Sequence, residues 1–218
     1  MSLLADYLQS VRTIQAAPST PELSFYNALV DLLNEVGEKQ EPRVQCVMNL
    51  EDAGAGLPDG GLFTEDQLPD STAPLFDGEQ KAPPPSRGAI EVKAADESIE
   101  DLQGSDQVAR YLGKYGTVLI TNYRQFRLLS DGDNAPRVLE RFTLAESEQT
   151  FKELASDPDR VDAEREERFS QFLERVMAHG APLAHPEDVA WLLASYAQDA
   201  RLRLGTSSLE DQIGRAHV

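Results

Sequence analysis

Five side chains in three short segments are of the types that phosphodiester hydrolysis requires. They are Asp59 in a glycine-rich turn, Glu91 and Lys93 within one apolar stretch, and Gln107 and Tyr111 four residues apart. This reaction needs hard oxygen ligands for Mg²⁺, an activated water and a positive charge at the scissile phosphate. We therefore expect Asp59 and Glu91 to hold Mg²⁺, for which Mn²⁺ can substitute. Lys93 is expected to orient water or to stabilise the transition state.

The spacing of these residues indicates the elements that must carry them. Residues 88–94 alternate in polarity, which predicts a strand with Glu91 and Lys93 on one face, roughly 7 Å apart. The next predicted helix places Gln107 and Tyr111 on one face, from which they can reach the attacking water or a phosphate. Taken singly, a Glu-x-Lys pair is usually a solvated face, and Pro-Asp-Gly is an ordinary turn. The order and context of the segments together favour the catalytic interpretation.

Apolar periodicity predicts an α/β (α+β) fold, with a mixed sheet flanked by helices and an all-helical extension behind it. Helices are predicted over 3–16, from 19–22 to 37, and over 105–114, 159–177 and 187–204. Strands are predicted over 43–50, 88–94, 117–121, 124–129 and, at an edge, 138–142. These elements define a domain over 1–143 and a helical spacer over 144–211. The last helix is expected to bury Val189, Trp191, Leu192, Tyr196 and Ala200.

Residues 64–87 are rich in proline, aspartate, serine and glycine, and we interpret them as a flexible insertion. Looping out of this segment accounts for the 32 positions between Asp59 and Glu91. If the segment does not loop out, Asp70 or Asp77 becomes the candidate metal ligand in place of Asp59.

The order of helix, strand, Asp, Glu-x-Lys and a helix with Gln-x-x-x-Tyr resembles the PD-(D/E)XK nuclease superfamily. The segments similar to the subgroup fused in front of adenine methyltransferases are 57–60, 89–93, 107–111 and 118–122, with the helix that carries Glu22. Over roughly residues 3–204, the chain resembles the N-terminal module of single-chain type IIG or type ISP-like restriction–modification enzymes.

The resemblance implies a restriction-endonuclease-like fold and a Mg²⁺-dependent DNA endonuclease. It also implies that Glu22, on the first core helix, assists the metal site, although Ser19 and Glu22 form a capping-box pattern as well. Double-stranded DNA would be the substrate, bound mostly by recognition and methyltransferase regions further downstream. S-adenosylmethionine would bind only in that downstream part, because this sequence has no Asn-Pro-Pro-Tyr-type motif.

The net charge of −18 is unusual for a DNA-binding chain, and neither half of the sequence is basic. We therefore expect most of the DNA affinity to come from outside this sequence. Residues 212–218 agree with this expectation, because their codons can spell a common sequencing-library adapter, which predicts a non-native tail on a truncated gene. A single cysteine, no signal peptide and no apolar run of membrane-spanning length favour a cytoplasmic protein.

Two other functions fit parts of the sequence. A degenerate nuclease fold can serve as a non-catalytic interaction or spacer module, although intact Asp59, Glu91 and Lys93 argue against that function. An acidic protein can also mimic DNA and block nucleic-acid-binding proteins, as the net charge of −18 suggests. A mimic should spread its carboxylates along one surface, whereas here they are expected to converge on a lysine.

Overall fold

Six strands form one mixed sheet in the computed structural model, which describes residues 2–15, 24–50, 55–68, 83–133, 135–181 and 186–206. The strands are β1 (Val44–Met48), β2 (Gly60–Thr64), β3 (Ala89–Val92), β4 (Thr117–Thr121), β5 (Gln125–Ser130) and β6 (Arg137–Thr143), side by side in that order. β3 and β4 are parallel, whereas the other neighbouring strands are antiparallel. The predicted mixed α/β fold is confirmed, with β6 at the expected edge.

Helices cover both faces of this sheet. The helices of the chain are α1 (Leu3–Gln15), α2 (Ser24–Gly37), α3 (Ile99–Gln103), α4 (Asp106–Tyr115), α5 (Glu148–Ser156), α6 (Ala163–Ala178) and α7 (Pro186–Thr206). One face of the sheet shares a core with α1, α2, α5 and α6, to which β3 contributes Ile90 and Val92. The other face packs against α3 and α4, where Val108 and Ala89 belong to a second core cluster. Alternation along β3 therefore turns Glu91 towards the face that α4 covers.

Local capping chemistry sets where several helices begin. α4 begins where the Ser105 hydroxyl accepts a hydrogen bond of 3.2 Å from the Val108 N–H. The helix predicted from residue 159 begins later, at Ala163, because Asp162 caps it by accepting a bond of 2.7 Å from the Arg165 N–H. The helices α3 and α5 are absent from the prediction, since five and nine residues are too few to establish helical periodicity.

Both ends of the segment 64–87, which composition predicts to be a flexible insertion, form hydrogen bonds with the fold. The Gln67 amide donates a hydrogen bond of 2.8 Å to Pro84 O, which joins the two ends. The Arg87 N–H donates to Leu62 O at 3.0 Å and thereby continues the pairing with β2. Composition does not reveal this order, because it depends on contact with a strand elsewhere in the chain.

The chain divides into two compact units, Met1–Gly180 and Ala181–Val218. The boundary predicted at residue 143 lies inside the first unit, where α5 and α6 pack on α1. They contribute Phe151 and Phe169 to the main core.

The second unit is described through α7. The predicted burial along this helix is wrong, because Val189, Trp191 and Tyr196 are 40%, 39% and 46% exposed, Ala200 is exposed and Leu192 is half-buried. In the described residues of its own unit, α7 has no second helix or strand to pack against. The expected non-native tail at 212–218 lies outside the described residues. None of the helices in the described part of the chain has the length and apolar character needed to cross a membrane.

Candidate active site

The candidate site lies where β2 and β3 separate. Gly60 of β2 lies opposite Ile90 of β3, and the preceding residue, Asp59, stands where the two strands part. Asp59 Oδ2 accepts a hydrogen bond of 2.7 Å from the Val92 N–H. The Asn49 N–H donates to the Asp59 backbone O, also at 2.7 Å. The Asp59 carboxylate therefore satisfies an N–H that a continuing strand would otherwise pair.

Gly60 lets the turn lie close to β1. A Cβ at this position would be 2.5 Å from Met48 Sδ and 2.9 Å from Val47 O, which are too short for van der Waals contact. The Pro-Asp-Gly sequence therefore does more than form a turn. Its glycine permits the approach of β1 while its aspartate reaches β3.

Glu91 is almost completely buried beside Asp59, with 2% of its surface exposed. Lys93 Nζ lies 3.5 Å from Glu91 Oε1, so the two side chains lie on the same side of the strand, as alternation predicts. Glu91 Oε2 is buried and has no hydrogen-bond partner. Burial, followed by the neighbouring Asp59 carboxylate, raises the pKa of Glu91 to about 7, although the Lys93 ammonium acts to lower it.

Tyr26 of α2 makes a contact that sequence reasoning missed. Its hydroxyl donates a hydrogen bond of 2.8 Å to Asp59 Oδ1, so both oxygens of that carboxylate accept a bond. Helical periodicity places Tyr26 on the apolar face of α2, and the ring is half-buried against the main core. The sequence does offer one clue to this contact, which is a tyrosine on an otherwise aliphatic helix face. The hydroxyl of a buried tyrosine usually needs a hydrogen-bond partner.

Gln107 and Tyr111 lie side by side on α4, as their spacing predicts. The Gln107 amide donates a hydrogen bond of 3.0 Å to the Tyr111 hydroxyl. Burial raises the pKa of Tyr111, the Gln107 donor lowers it, and the carboxylates of Glu91 and Asp59 raise it further. The Tyr111 hydroxyl therefore lies within electrostatic reach of both carboxylates.

The donor set fits a hard divalent cation. Mg²⁺ typically takes one or two protein carboxylates and completes its octahedral shell with water and substrate phosphate oxygens. The unpartnered Glu91 Oε2, next to Asp59, is an oxygen that such a cation can bind. No group of three or more His, Cys, Asp or Glu residues suited to a metal occurs in the described residues. The expected third ligand, Glu22, lies outside them, as do the alternatives Asp70 and Asp77.

Comparison with known proteins gives little beyond this geometry. No model of a protein family matches the chain, and no curated protein matches it. Among solved structures, a cryo-EM structure of a DrdV–DNA complex is similar, with a TM-score of 0.44 and 17% sequence identity. The similarity covers 78% of this chain and 15% of the longer one.

Proposed function

We propose that this chain is a Mg²⁺-dependent DNA endonuclease module in which Asp59, Glu91 and Lys93 carry the reaction. The observation that best supports the proposal is the buried Glu91 carboxylate, held near Asp59 with one oxygen unpartnered. Burying an ionised carboxylate is costly unless donors or a cation replace the lost water. Lys93 does so at Oε1, 3.5 Å away, and a bound cation would do so at Oε2.

Each side chain has a role that its position allows. Asp59 and Glu91 would hold the cation, and bound Mg²⁺ would polarise the scissile phosphate and activate a water. The Lys93 side chain is 34% exposed, so its ammonium can stay near Glu91 and still meet the substrate. There it would orient the attacking water or stabilise the growing negative charge. Gln107 and Tyr111 would contact the water or a phosphate from α4.

The same arrangement bears on the two rival functions. A DNA mimic must present its carboxylates to a partner, and Glu91 is not presented, because it is 2% exposed and pairs with Lys93 inside the fold. A non-catalytic interaction module has no need to keep a carboxylate with a raised pKa beside a lysine. A bound cation would offset the cost of burying the Glu91 carboxylate, which a role as a metal ligand explains.

The net charge of −18 limits how this chain meets DNA. Duplex DNA should repel it at physiological salt, where charges are screened over about 8 Å. We therefore propose that recognition and most of the affinity reside elsewhere in a restriction–modification polypeptide. Its other activity would be adenine methylation with S-adenosylmethionine. The isolated chain should then cleave DNA slowly or not at all.

Tethering the chain to DNA tests the proposal directly. Fusion to a sequence-neutral basic DNA-binding domain raises the local DNA concentration at the site. With Mg²⁺ or Mn²⁺ the fusion should nick supercoiled plasmid, and with Ca²⁺ it should bind without cleaving. Asp59→Ala and Lys93→Ala should abolish nicking. Lys152→Ala is the matched control, because Lys152 also pairs with a glutamate, Glu148, but on the exposed surface of α5.

Gel-shift assays at the same salt should show equal DNA binding by all four fusions. Nicking by the Lys93→Ala fusion at the wild-type rate would show that Lys93 is not catalytic. If the wild-type fusion binds plasmid and never nicks it, the non-catalytic module becomes the better assignment.

A further inference from the structure

Asp59 is held on two sides by donors from different elements. The Tyr26 hydroxyl, from α2, lies 2.8 Å from Asp59 Oδ1. The Val92 N–H, from β3, lies 2.7 Å from Asp59 Oδ2. The Asn49 N–H, next to β1, fixes the Asp59 backbone from a third direction. Together these contacts define one orientation of the carboxylate plane.

We infer that Tyr26 is a positioning residue for metal binding by Asp59, an inference that rests on the proposed function. A carboxylate oxygen has two lone pairs, so it can accept a hydrogen bond through one and bind a cation through the other. A donor behind a metal ligand orients that ligand before the cation arrives. Loss of such a partner typically weakens metal binding by roughly 10- to 100-fold.

The position of Tyr26 distinguishes this role from ordinary packing. Its ring is half-buried on α2, which lies on the opposite side of the sheet from α4 and Tyr111. Its hydroxyl reaches past the sheet to Asp59 at the separation of β2 and β3. The acceptor of Tyr26 is the side-chain carboxylate of a candidate metal ligand, whereas the buried Tyr7 hydroxyl is satisfied by a backbone oxygen. This bond thus joins the helix layer on one face of the sheet to the candidate site.

Tyr7 provides a matched control for the loss of a tyrosine hydroxyl. It is buried, and its hydroxyl donates a bond of 2.7 Å to the Tyr123 backbone O. Tyr7→Phe and Tyr26→Phe therefore each remove a hydroxyl donor, and the bonds to the Tyr123 backbone O and to Asp59 Oδ1 have nearly equal lengths of 2.7 and 2.8 Å. Only Tyr26→Phe removes a bond to a candidate metal ligand.

Titration calorimetry with Mn²⁺ at pH 8 tests the inference on the 218-residue chain. Tyr26→Phe should weaken Mn²⁺ binding roughly tenfold without changing the number of sites. Tyr7→Phe should leave the affinity unchanged. Circular dichroism of each variant checks that the fold is intact, which separates a local effect on the ligand from partial unfolding.

A double variant tests whether Tyr26 acts through Asp59. Asp59→Asn removes the charge and leaves one acceptor oxygen for the two donors, Tyr26 and Val92, so Mn²⁺ affinity, followed by electron paramagnetic resonance, should fall. Adding Tyr26→Phe to Asp59→Asn should then cost much less than it does in the wild type, because coupled residues are not additive.

The outcomes separate this inference from the proposed function. If Tyr26→Phe binds Mn²⁺ like the wild type while Asp59→Ala loses binding, Tyr26 is not a positioning residue and the proposed function stands. Full additivity in the double variant would also overturn the positioning role. If the wild type does not bind Mn²⁺, or binds it regardless of Asp59→Ala, both ideas fail.

Discussion

Two buried glutamates should respond in opposite ways to the loss of their charge. Glu91 and Glu140 are 2% and 6% exposed. Glu140 forms a buried ion pair with Arg175, with 3.2 Å between Glu140 Oε1 and Arg175 Nε. Glu91 instead has an unpartnered oxygen and an acidic neighbour, Asp59. We expect Glu91→Gln to stabilise the fold at neutral and alkaline pH and Glu140→Gln to destabilise it.

The expected size for Glu91 follows from its pKa of about 7 in the folded chain and the ordinary value of 4.5 in the unfolded chain. Between these values the folded chain binds more protons, so the free energy of unfolding falls as the pH rises. The contribution is complete below about pH 4.5 and is lost above about pH 7, which amounts to about 3 kcal/mol. Glutamine does not titrate, so the variant should escape this loss.

Glu140→Gln should lower the free energy of unfolding, and the cause is again a local one. It leaves the Arg175 guanidinium buried opposite an uncharged amide. Breaking a buried ion pair by neutralising one partner typically costs roughly 3–5 kcal/mol. The variant should therefore lose stability at every pH where the wild-type pair is ionised.

Urea unfolding of the three proteins between pH 5 and 9, without divalent cations, measures both effects. The informative quantity is the difference in unfolding free energy between Glu91→Gln and the wild type at each pH, because the other carboxylates cancel in it. This difference should move in favour of glutamine by about 2–3 kcal/mol between pH 5 and 8. A difference that does not depend on pH would refute the reasoning, and so would stabilisation by Glu140→Gln.

The remaining predictions concern metal binding, the Tyr111 hydroxyl and the turn at Gly60. Protons compete with a cation for Glu91, so calorimetric Mn²⁺ affinity should rise from pH 6 to 8, and a flat profile would contradict its role as ligand. Gln107→Leu should raise the pKa of Tyr111 further, because it removes the amide donor that lowers this pKa. Ultraviolet difference titration, with Tyr111→Phe as the reference, measures the shift, and an unchanged pKa would contradict the Gln107–Tyr111 hydrogen bond. Gly60→Ala should lower the free energy of unfolding in urea by about 1–3 kcal/mol, and wild-type stability would rule out the close approach of β1.

Parts of the site that lie on a single element could be predicted from local rules. Strand alternation predicts that Glu91 and Lys93 share a side, and a 3.5 Å contact joins them. Helical spacing predicts that Gln107 and Tyr111 are neighbours, and a 3.0 Å hydrogen bond connects them. Both relations depend on backbone geometry over two to four residues, which the order of residues already specifies.

Contacts between elements carry no comparable signal. Tyr26 lies on an apolar helix face, and its bond to Asp59 spans 33 positions, so it exists only because α2 packs beside β1. The order near Arg87 likewise depends on pairing with Leu62 of β2. Trp191 is predicted to be buried and is 39% exposed. Helical periodicity alone does not say whether another element covers the apolar face of a helix.

By itself, the sequence determined which residues share a face and where most strands and helices begin, because periodicity and capping act over a few residues. The tertiary structure decided that Asp59 stands beside Glu91 and that the Tyr26 hydroxyl reaches Asp59 from the opposite helix layer. It also decided that Glu91 is buried. Desolvation depends on the neighbours that folding brings around a group, and this burial is the largest cause that raises the pKa of Glu91 to about 7.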